Sequence, residues 1–262
     1  MPMSRVLTAV ALAVAVAAPV RDLSAQRTLT IIARDTALVA PPTVPAGVTT
    51  VRLLLNGKAR RDLVVHRIPA GMTPEELVRG AAGRPSRWFD QWSFGGPAVP
   101  RDSSNEAAVT MDLRPGRYAF VSYEVDATGR PRADKHMWVM VAAMRSTALI
   151  PDRLPVADAT FKVRDSRIDM IGVLRRGQRI VQIENTGTQA HEITIVRLKA
   201  GKTPEDAQRW LRDRKDASPF VYVGGLTPMS PGASAQTRLV LQSGTHVVLT
   251  GGTGAIVTFK VA

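Results

Sequence analysis

The chain has 262 residues, no cysteine and a formal net charge of +13. A chain without cysteine forms no disulfide, uses no thiol nucleophile and holds no copper through a thiolate. Its length suits two medium-sized domains. Its lysines and arginines are scattered, which indicates a basic solvated surface, although the net charge would also attract an anionic partner. Nucleic acid is not an expected ligand, because the signal described next predicts a location outside the cytoplasm.

The first 25 residues have the layout of a secretory signal. Arg5 precedes an apolar run, Val6 to Val20, and small Ala25 is a plausible last residue before cleavage. The alternative is a membrane anchor, but the run is shorter than the roughly 20 apolar residues that span a bilayer. We therefore expect a periplasmic or secreted mature protein with no membrane span after signal removal.

The mature chain opens with alternating strands. In the segment 27–34, Leu29 and Ile31 alternate with polar residues, which predicts a half-buried strand. Residues 43–47 (TVPAG) predict a turn, and the segments 49–56 and 63–68 predict two further strands.

A short helix follows these strands. In Thr73-Pro74-Glu75-Glu76, the threonine hydroxyl is a capping group, proline takes the first helical position, and Glu76 can bond back to Thr73. Gly80, Gly83 and Pro85 limit the length of this helix.

The next loop carries a cluster of aromatic residues that includes Trp88, Trp92 and Phe94. One interpretation is an exposed platform that binds flat ligands. The other is a loop that packs its own rings against the end of a sandwich, since large rings bury most of their area when they can.

The rest of the first half predicts a hairpin and one more strand. Residues 109–113 and 118–121 are joined by Arg-Pro-Gly-Arg at 114–117, which predicts a hairpin turn. A polar loop, 124–135, then leads to a last strand, 137–142.

The second half repeats this order. Gly71 and Gly201, and likewise Thr73 and Thr203, are each separated by 130 positions, and Gly116 and Gly244 by 128. Turn glycines and helix caps at a constant offset predict a duplication, because each marks a backbone requirement. We predict a first domain at 26–144, a linker at 145–158 and a second domain at 159–262, with Gly224-Gly225 in a loop.

Many short strands with one short helix per half predict an all-β fold of two tandem Greek-key β-sandwiches. Two further histidines, His66 and His246, are expected on sheet faces, and His246 takes the place that Tyr118 has in the first half.

The chain resembles the cupredoxins, the family of plastocyanin-like sandwiches, over residues 28–143 and 159–262. Three motifs of the second half carry the resemblance: the Asn185-Thr186-Gly187 turn before His191, the Gly224-Gly225 pair, and Leu241 to Gly244 before the penultimate strand. In the first half, Leu113 to Tyr118 is similar to the family's L-x-P-G-x-Y.

The resemblance implies a copper site of two histidines, a cysteine and often a methionine, a set suited to electron transfer. His191 matches the first histidine, and Ser122 and Thr250 match the cysteine positions. The first-half equivalent of His191 is Arg61. Remnants of the other ligands are His136 and Met137. Neither half has a complete set, so we expect a degenerate copper site and no cofactor.

No recognised catalytic constellation is present, so no catalytic residue is predicted. The chain is expected to be a non-catalytic binding or structural protein whose partner is an unknown protein, an anionic polymer or a small molecule. One alternative is a protein that handles copper or zinc through His191 with His136 and Met137. The competing interpretation of His191 is a turn histidine that bonds nearby backbone. A second alternative is an enzyme with a site at the domain interface.

Overall fold

The structure is a computed structural model that describes residues 27–83, 91–99, 104–125, 131–146, 153–213, 217–251 and 254–262. The predicted signal, residues 1–25, and part of the predicted linker lie outside these ranges. Neither helix in the described ranges is long and apolar enough to cross a membrane.

The first half, residues 27–146, contains eight strands and one helix in the described ranges. They are β1 (Thr28–Ala33), β2 (Leu38–Val39), β3 (Thr43–Pro45), β4 (Gly47–Leu55), β5 (Arg61–Arg67), α1 (Pro74–Gly83), β6 (Glu106–Leu113), β7 (Gly116–Val125) and β8 (Pro131–Met144).

The second half, residues 153–262, also contains eight strands and one helix in the described ranges, with four strands before the helix and four after it, where the first half has five and three. They are β9 (Ala159–Val163), β10 (Ile168–Gly172), β11 (Gly177–Asn185), β12 (His191–Leu198), α2 (Pro204–Asp213), β13 (Phe220–Met229), β14 (Ser234–Leu241), β15 (Gly244–Thr250) and β16 (Ile256–Val261).

The strands form two layers that run through both halves. One layer is a single sheet of eight strands in the order β10-β9-β11-β14-β6-β4-β1-β2. The other layer consists of two four-stranded sheets, β3-β8-β7-β5 and β13-β12-β15-β16. The segment 93–97 lies between β5 and β13 and joins these two sheets, since it bonds Val65 on one side and Pro228 on the other.

The two halves meet at a seam in each layer. We define the seam as the β6–β14 pairing in one layer and the pairing of residues 93–97 with β13 in the other. In the first layer, Val109 lies opposite Thr237, 128 positions later. In the second, Pro97 lies opposite Leu226, 129 positions later. These offsets match those of the repeated glycines, so at the seam a residue faces its own counterpart. This is the arrangement expected when two similar units are related by a two-fold axis.

The core explains why these segments form strands. Leu29, Ile31 and Ala33 of β1 are buried and alternate with more exposed residues, as in a strand with one face on a core. One apolar cluster contains inward-facing residues of both halves, from Leu29 to Val261. Each helix covers the outer face of its own sheet, where Leu77 of α1 and Ala207 of α2 are fully buried.

Two glycines allow the strands at the seam to approach closely. A Cβ atom on Gly96 would lie 2.1 Å from the carbonyl oxygen of Leu63, and one on Gly225 would lie 2.2 Å from that of Ile193. Gly224 and Gly225 lie within β13, so the prediction of a loop there is wrong. The glycines are required by packing against a neighbouring backbone and not by a turn.

Three further local predictions are wrong. Residues 43–45 form the short strand β3 beside β8, and the polar loop predicted at 124–135 is shortened by β7 and β8. The predicted hairpin at 114–117 is an arch, because β6 and β7 lie in different sheets. A Pro-Gly turn occurs in hairpins and in arches alike. The two are distinguished by the strands with which the flanking segments pair, and these strands are distant in the sequence.

The fold class is confirmed: the protein is an all-β sandwich with one short helix in each half. The helix starts are also confirmed. Thr73 Oγ1 accepts from the Glu76 amide while Glu76 Oε2 accepts from the Thr73 amide, and Thr203 and Asp206 make the same pair of bonds. The division into domains at 26–144 and 159–262 stays a prediction.

Candidate functional site

His191 lies at the start of β12 with 1 % of its surface exposed. Its Nε2 is 2.9 Å from Oδ1 of Asp165, which lies in the turn between β9 and β10. Hydrogen bonds from Thr188 and then from His191 lower the pKa of Asp165 to about 2. The carboxylate is therefore ionised at neutral pH and accepts the Nε2 proton, and Nδ1 is buried without a hydrogen-bond partner among the described residues.

Asp165 was missed in the sequence, although the repeat contains a signal for it. Its counterpart 130 positions earlier is Asp35, whose Oδ1 accepts from the amides of Lys58 and Ala59. Asp165 Oδ1 accepts from the amides of Thr188 and Gln189 in the same way. The aspartate thus has a structural role in both halves, where it holds the turn before β5 or β12.

The residues at the expected copper-ligand positions do not form a type 1 copper site. Arg61 takes the place of His191 in the first half, is 5 % exposed, and lies 3.6 Å from Glu124. Burial lowers the pKa of its guanidinium, and Glu124 and Asp35 oppose this effect. Ser122 and Thr250 lie opposite Leu63 and Ile193 in register and are hydroxyls, so neither supplies the soft sulfur donor that such a site needs.

The structure does not bring His191 together with His136 and Met137. Both of these residues lie on β8, where the His136 ring is 6.2 Å from that of Tyr123. Between β8 and β12 lie β7, β5, the segment 93–97 and β13. At the usual strand spacing of about 4.8 Å, this arrangement places β8 and β12 roughly 24 Å apart. The described ranges also hold no group of three or more His, Asp or Glu side chains that could share an ion.

The predicted aromatic residues do not form one described surface. Trp88 lies outside the described residues, and Trp92 is half-buried. Phe94 packs against the common core and meets Tyr118 edge to face, with ring centroids 6.2 Å apart. Phe94 therefore contributes to packing at the seam.

A groove of about 390 Å³ lies at the seam and is lined by residues of both halves. The strands β6 and β14 pair at only two positions, and the groove lies between residues of these strands and those of β12, β13 and β15. Its walls include Ala107, Ala108, Arg197, Val221, Val223 and His246. A volume of this size falls in the range of small-molecule sites in proteins.

Two aromatic residues of the first half correspond to smaller side chains that line the groove. Phe94 precedes Gly95-Gly96 as Val223 precedes Gly224-Gly225. Tyr118 lies opposite Arg67 in the strand register, and His246 lies opposite Arg197 in the same way. Where the first half packs Phe94 against Tyr118, the second half has a valine and an imidazole. These smaller side chains leave space unfilled.

Arg197 is the half-buried cation of this groove. Its side chain makes no hydrogen bond or ion pair with any residue in the described part of the chain, whereas the side chain of its counterpart Arg67 donates to the carbonyl oxygen of Pro115. Glu106 also lines the groove, but its carboxylate is bound by Arg52. The groove is therefore positive, since Arg238 lines it as well.

His246 contributes a neutral imidazole with a defined tautomer. Its Nδ1 is 3.3 Å from the carbonyl oxygen of Gly244, and a carbonyl oxygen only accepts, so Nδ1 carries the proton. Burial lowers the pKa of His246, and neighbouring Arg197 lowers it further, against the opposing effect of the Gly244 bond. Nε2 is therefore a buried acceptor, and it has no hydrogen-bond partner among the residues that the structure describes.

No protein-family model matches the chain, and no curated protein matches it. Among solved structures, the chain is similar to reduced auracyanin from Roseiflexus castenholzii, with 17 % identity over 39 % of this chain and 94 % of that one, at a TM-score of 0.30. Auracyanin A from Chloroflexus aurantiacus, a blue copper protein, matches with 11 % identity over 44 % of this chain and 97 % of that one, at a TM-score of 0.31.

A longer match is the copper-containing nitrite reductase from Thermus scotoductus, with 10 % identity over 91 % of this chain and 62 % of that one, at a TM-score of 0.26. The chain thus spans about three fifths of that enzyme's length.

Proposed function

We propose that the chain is an exported, non-catalytic binding protein that holds a small molecule in the groove between β6, β13 and β14. The observation that carries this proposal is the groove itself, a positive concavity at the place where the first half is filled by Phe94 and Tyr118. The half-buried guanidinium of Arg197, whose side chain has no bonding partner in the described structure, offers its donors to an anionic group of a ligand.

The scaffold in this proposal is a pair of degenerate cupredoxin-like copies that arose by duplication. The constant offsets, the equivalent Asp35 and Asp165 turns and the self-facing pairs at the seam support the duplication. Hydroxyl side chains at both cysteine positions support the loss of type 1 copper. A duplicated scaffold can lose one function and keep its fold, because function depends on a few side chains while the fold depends on the core.

Export is the second part of the proposal, and its support is the sequence of residues 1–25. Expression of the full chain in a bacterial host and sequencing of the mature amino terminus test it. We expect the mature chain to be found outside the cytoplasm and to begin at Gln26. A cytoplasmic chain that keeps its first 25 residues would refute export.

Binding is tested by a thermal-shift screen of the mature protein against organic acids, sugars, acidic polymers, Cu²⁺ and Zn²⁺. The control is Val223→Phe, which restores the ring that the first half has at Phe94 and fills the groove. We expect at least one small molecule to raise the melting temperature of the wild type but not of this variant. The ligand should be recovered chemically unchanged, because the proposal excludes turnover.

Three results would contradict the proposal. If no compound of any class stabilises the wild type, the groove is not a binding site. If only the metals stabilise it, and equally in the filled variant, the metal-handling alternative is favoured. If the ligand is converted during incubation, the protein is an enzyme with a site at the seam.

A further inference from the structure

The eight-stranded sheet has one face on the common core and one outer face. In β11 and β14, side chains of the core alternate with those of the outer face, so Ile180 and Val240 lie on the outer face beside the buried Val181 and Leu239. Both helices lie on the other layer, and no helix in the described ranges covers the outer face. The two halves can therefore be compared there position by position.

The first half has a polar outer face that is satisfied from within. Thr50 Oγ1 of β4 is 2.9 Å from Thr110 Oγ1 of β6, and the guanidinium of Arg52 donates to the carboxylate of Glu106. Both pairs join the neighbouring strands β4 and β6. The first half therefore forms its part of the sheet without apolar side chains exposed at these positions.

The second half has an apolar outer face. Its exposed aliphatic residues are Val156 at 93 %, Val173 at 73 %, Val240 at 69 % and Ile171 at 54 %. Val156 lies on this face because the carbonyl oxygen of the preceding residue, Pro155, accepts from Gln236 Nε2 of β14. The segments 156–158 and 171–173 are adjacent, since a Cβ atom on Gly172 would lie 2.6 Å from the carbonyl oxygen of Asp158.

The counterpart positions of the first half lack these aliphatic side chains. At offsets of 130 and 128 positions, Ile171, Val173, Ile180 and Val240 correspond to Pro41, Thr43, Thr50 and Asp112. Because the first half builds its part of the same sheet with these residues, the fold does not require the exposed isoleucine and valines of the second half. An exposed apolar patch with polar residues at its rim is typical of an interaction site.

The second half also has additional arginines at this face. Arg175, Arg176 and Arg238 correspond to Pro45, Ala46 and Thr110 of the first half. The carboxylates of this region are ion-paired with other cations, in the pairs Asp158–Arg179, Asp169–Arg167 and Glu184–Lys162. Arg175 and Arg176 are exposed and therefore give the face a net positive charge.

The charge of this face selects among the partners that could cover it. In a two-fold dimer of this chain, the same arginines would approach each other, and like charges repel. A stable protein interface is commonly anchored by tyrosine or tryptophan in a pocket, whereas the exposed side chains here are aliphatic and lie on an open sheet. Aliphatic side chains beside arginines suit the boundary of an anionic bilayer, where phosphates accept from guanidinium groups and the headgroup region admits apolar side chains.

We propose that the outer face of the second half docks on an anionic phospholipid surface. Arg175 and Arg176 bind lipid phosphates, and Ile171, Val173 and Val156 enter the headgroup region. This function goes beyond ligand binding in the groove. Val240 also lines the groove, so the variants that test docking leave Val240 unchanged.

The first test uses the mature wild-type protein and co-sedimentation with phosphatidylcholine vesicles that contain or lack phosphatidylglycerol. We expect at least about tenfold tighter binding to the anionic vesicles, and weaker binding as salt is added. Hydrogen exchange maps the contact without any substitution. Amides at 156–158 and 171–176 should exchange more slowly when the vesicles are bound, while those of α1 and α2 should be unchanged.

A pair of double variants separates this face from the net charge of the chain. Arg175→Gln with Arg176→Gln should weaken binding to the anionic vesicles about tenfold or more, since each basic residue near an anionic surface contributes about fivefold. The matched control is Arg79→Gln with Arg212→Gln, which removes the same charge from exposed positions on α1 and α2, on the other layer. The control should bind as the wild type does, within about twofold.

A second pair of variants tests the aliphatic residues. Ile171→Thr with Val173→Thr places hydroxyl groups at exposed positions and should weaken binding about threefold or more, with the same dependence on salt as the wild type. The control is Val39→Thr on β2, an exposed valine at the far end of the same sheet, and it should bind as the wild type does.

Several results would overturn the inference. They are equal binding to the two kinds of vesicle, equal weakening in the two arginine variants, and slowed exchange confined to other segments. A dimer that dissociates in Ile171→Thr with Val173→Thr would assign the face to a second copy of the chain. Binding to polyglutamate as tight as to the anionic vesicles would assign it to acidic polymers. Val223→Phe fills the groove without changing this face, so vesicle binding and small-molecule binding can fail independently.

Discussion

The close contact between β12 and β13 gives a sharp prediction, because Gly224 and Gly225 are adjacent but differ in what a side chain would meet. On Gly225, a Cβ atom would lie 2.2 Å from the carbonyl oxygen of Ile193 and 3.3 Å from the Cα of Thr194, both backbone atoms. On Gly224, it would lie 2.7 Å from Cδ2 of Leu239, the end of a flexible side chain. Neither glycine has a positive φ, so space alone decides the cost.

The magnitude follows from how far β12 and β13 must separate. A carbon atom and a carbonyl oxygen make contact at about 3.2 Å, so Gly225→Ala requires a shift of about 1 Å between two hydrogen-bonded backbones. Overpacking of this kind costs about 1 to 3 kcal/mol, and each stretched hydrogen bond adds about 1 kcal/mol. We expect Gly225→Ala to lose about 2 to 4 kcal/mol of the free energy of unfolding, and Gly224→Ala less than about 1 kcal/mol.

Urea denaturation followed by tryptophan fluorescence measures both variants, and a thermal melt provides a second reading. For a chain of this size, the loss in Gly225→Ala corresponds to a fall in melting temperature of about 5 to 15 °C. Equal losses in the two variants, or a loss below about 0.5 kcal/mol in Gly225→Ala, would show that β12 and β13 are not packed as the structure has them.

Three smaller predictions concern individual hydrogen bonds. The pKa of Asp165 is lowered from 3.8 to about 2, so its contribution to stability is complete above pH 4 and is lost as the pH falls toward 2. Melting temperatures measured from pH 2 to 7 should therefore fall less steeply on the acid side in Asp165→Asn than in the wild type. An unchanged slope would contradict this. Thr73→Ala removes the cap of α1 and should lower the free energy of unfolding by about 1 kcal/mol in urea, with Thr203→Ala at α2 expected to match it. Thr227→Val removes the hydrogen bond from Thr227 Oγ1 to the buried carbonyl oxygen of Leu63 across the seam, and it should lower the free energy of unfolding by about 1 to 2 kcal/mol. The control, Thr258→Val on the exposed face of β16, should change the free energy of unfolding little.

The strands were predictable where one face is buried and the other is not. Alternation marked β1 because the side-chain period of a strand is two and the core imposes it. The two helices were predictable from Thr73 and Thr203 because capping is a local interaction. Pairing partners were not predictable in the same way, so the arch at 114–117 was taken for a hairpin.

The candidate site was predictable only in part. The place of His191 at a strand entrance was predictable, but its partner Asp165 is 26 positions earlier and only the repeat points to it. The replacement of Tyr118 by His246 was visible in the sequence. The groove that results was not, because an empty space depends on the simultaneous loss of the ring at Phe94, on a different strand.

The shared core makes a last prediction about the whole chain. Two sandwiches joined only by a linker would unfold separately, since most contacts would lie within each one. Here one apolar cluster includes residues from β1 through β16, and both layers continue across the seam. Exposing the seam of either half would uncover part of this cluster and leave the carbonyl groups of Leu63 and Gly96 without the donors that Thr227 supplies.

We therefore expect a single calorimetric transition whose measured enthalpy equals the van't Hoff enthalpy. Gly225→Ala should shift that whole transition. Two resolved transitions, of which the variant moves only one, would show that the halves fold as independent units and that the seam contributes little to either.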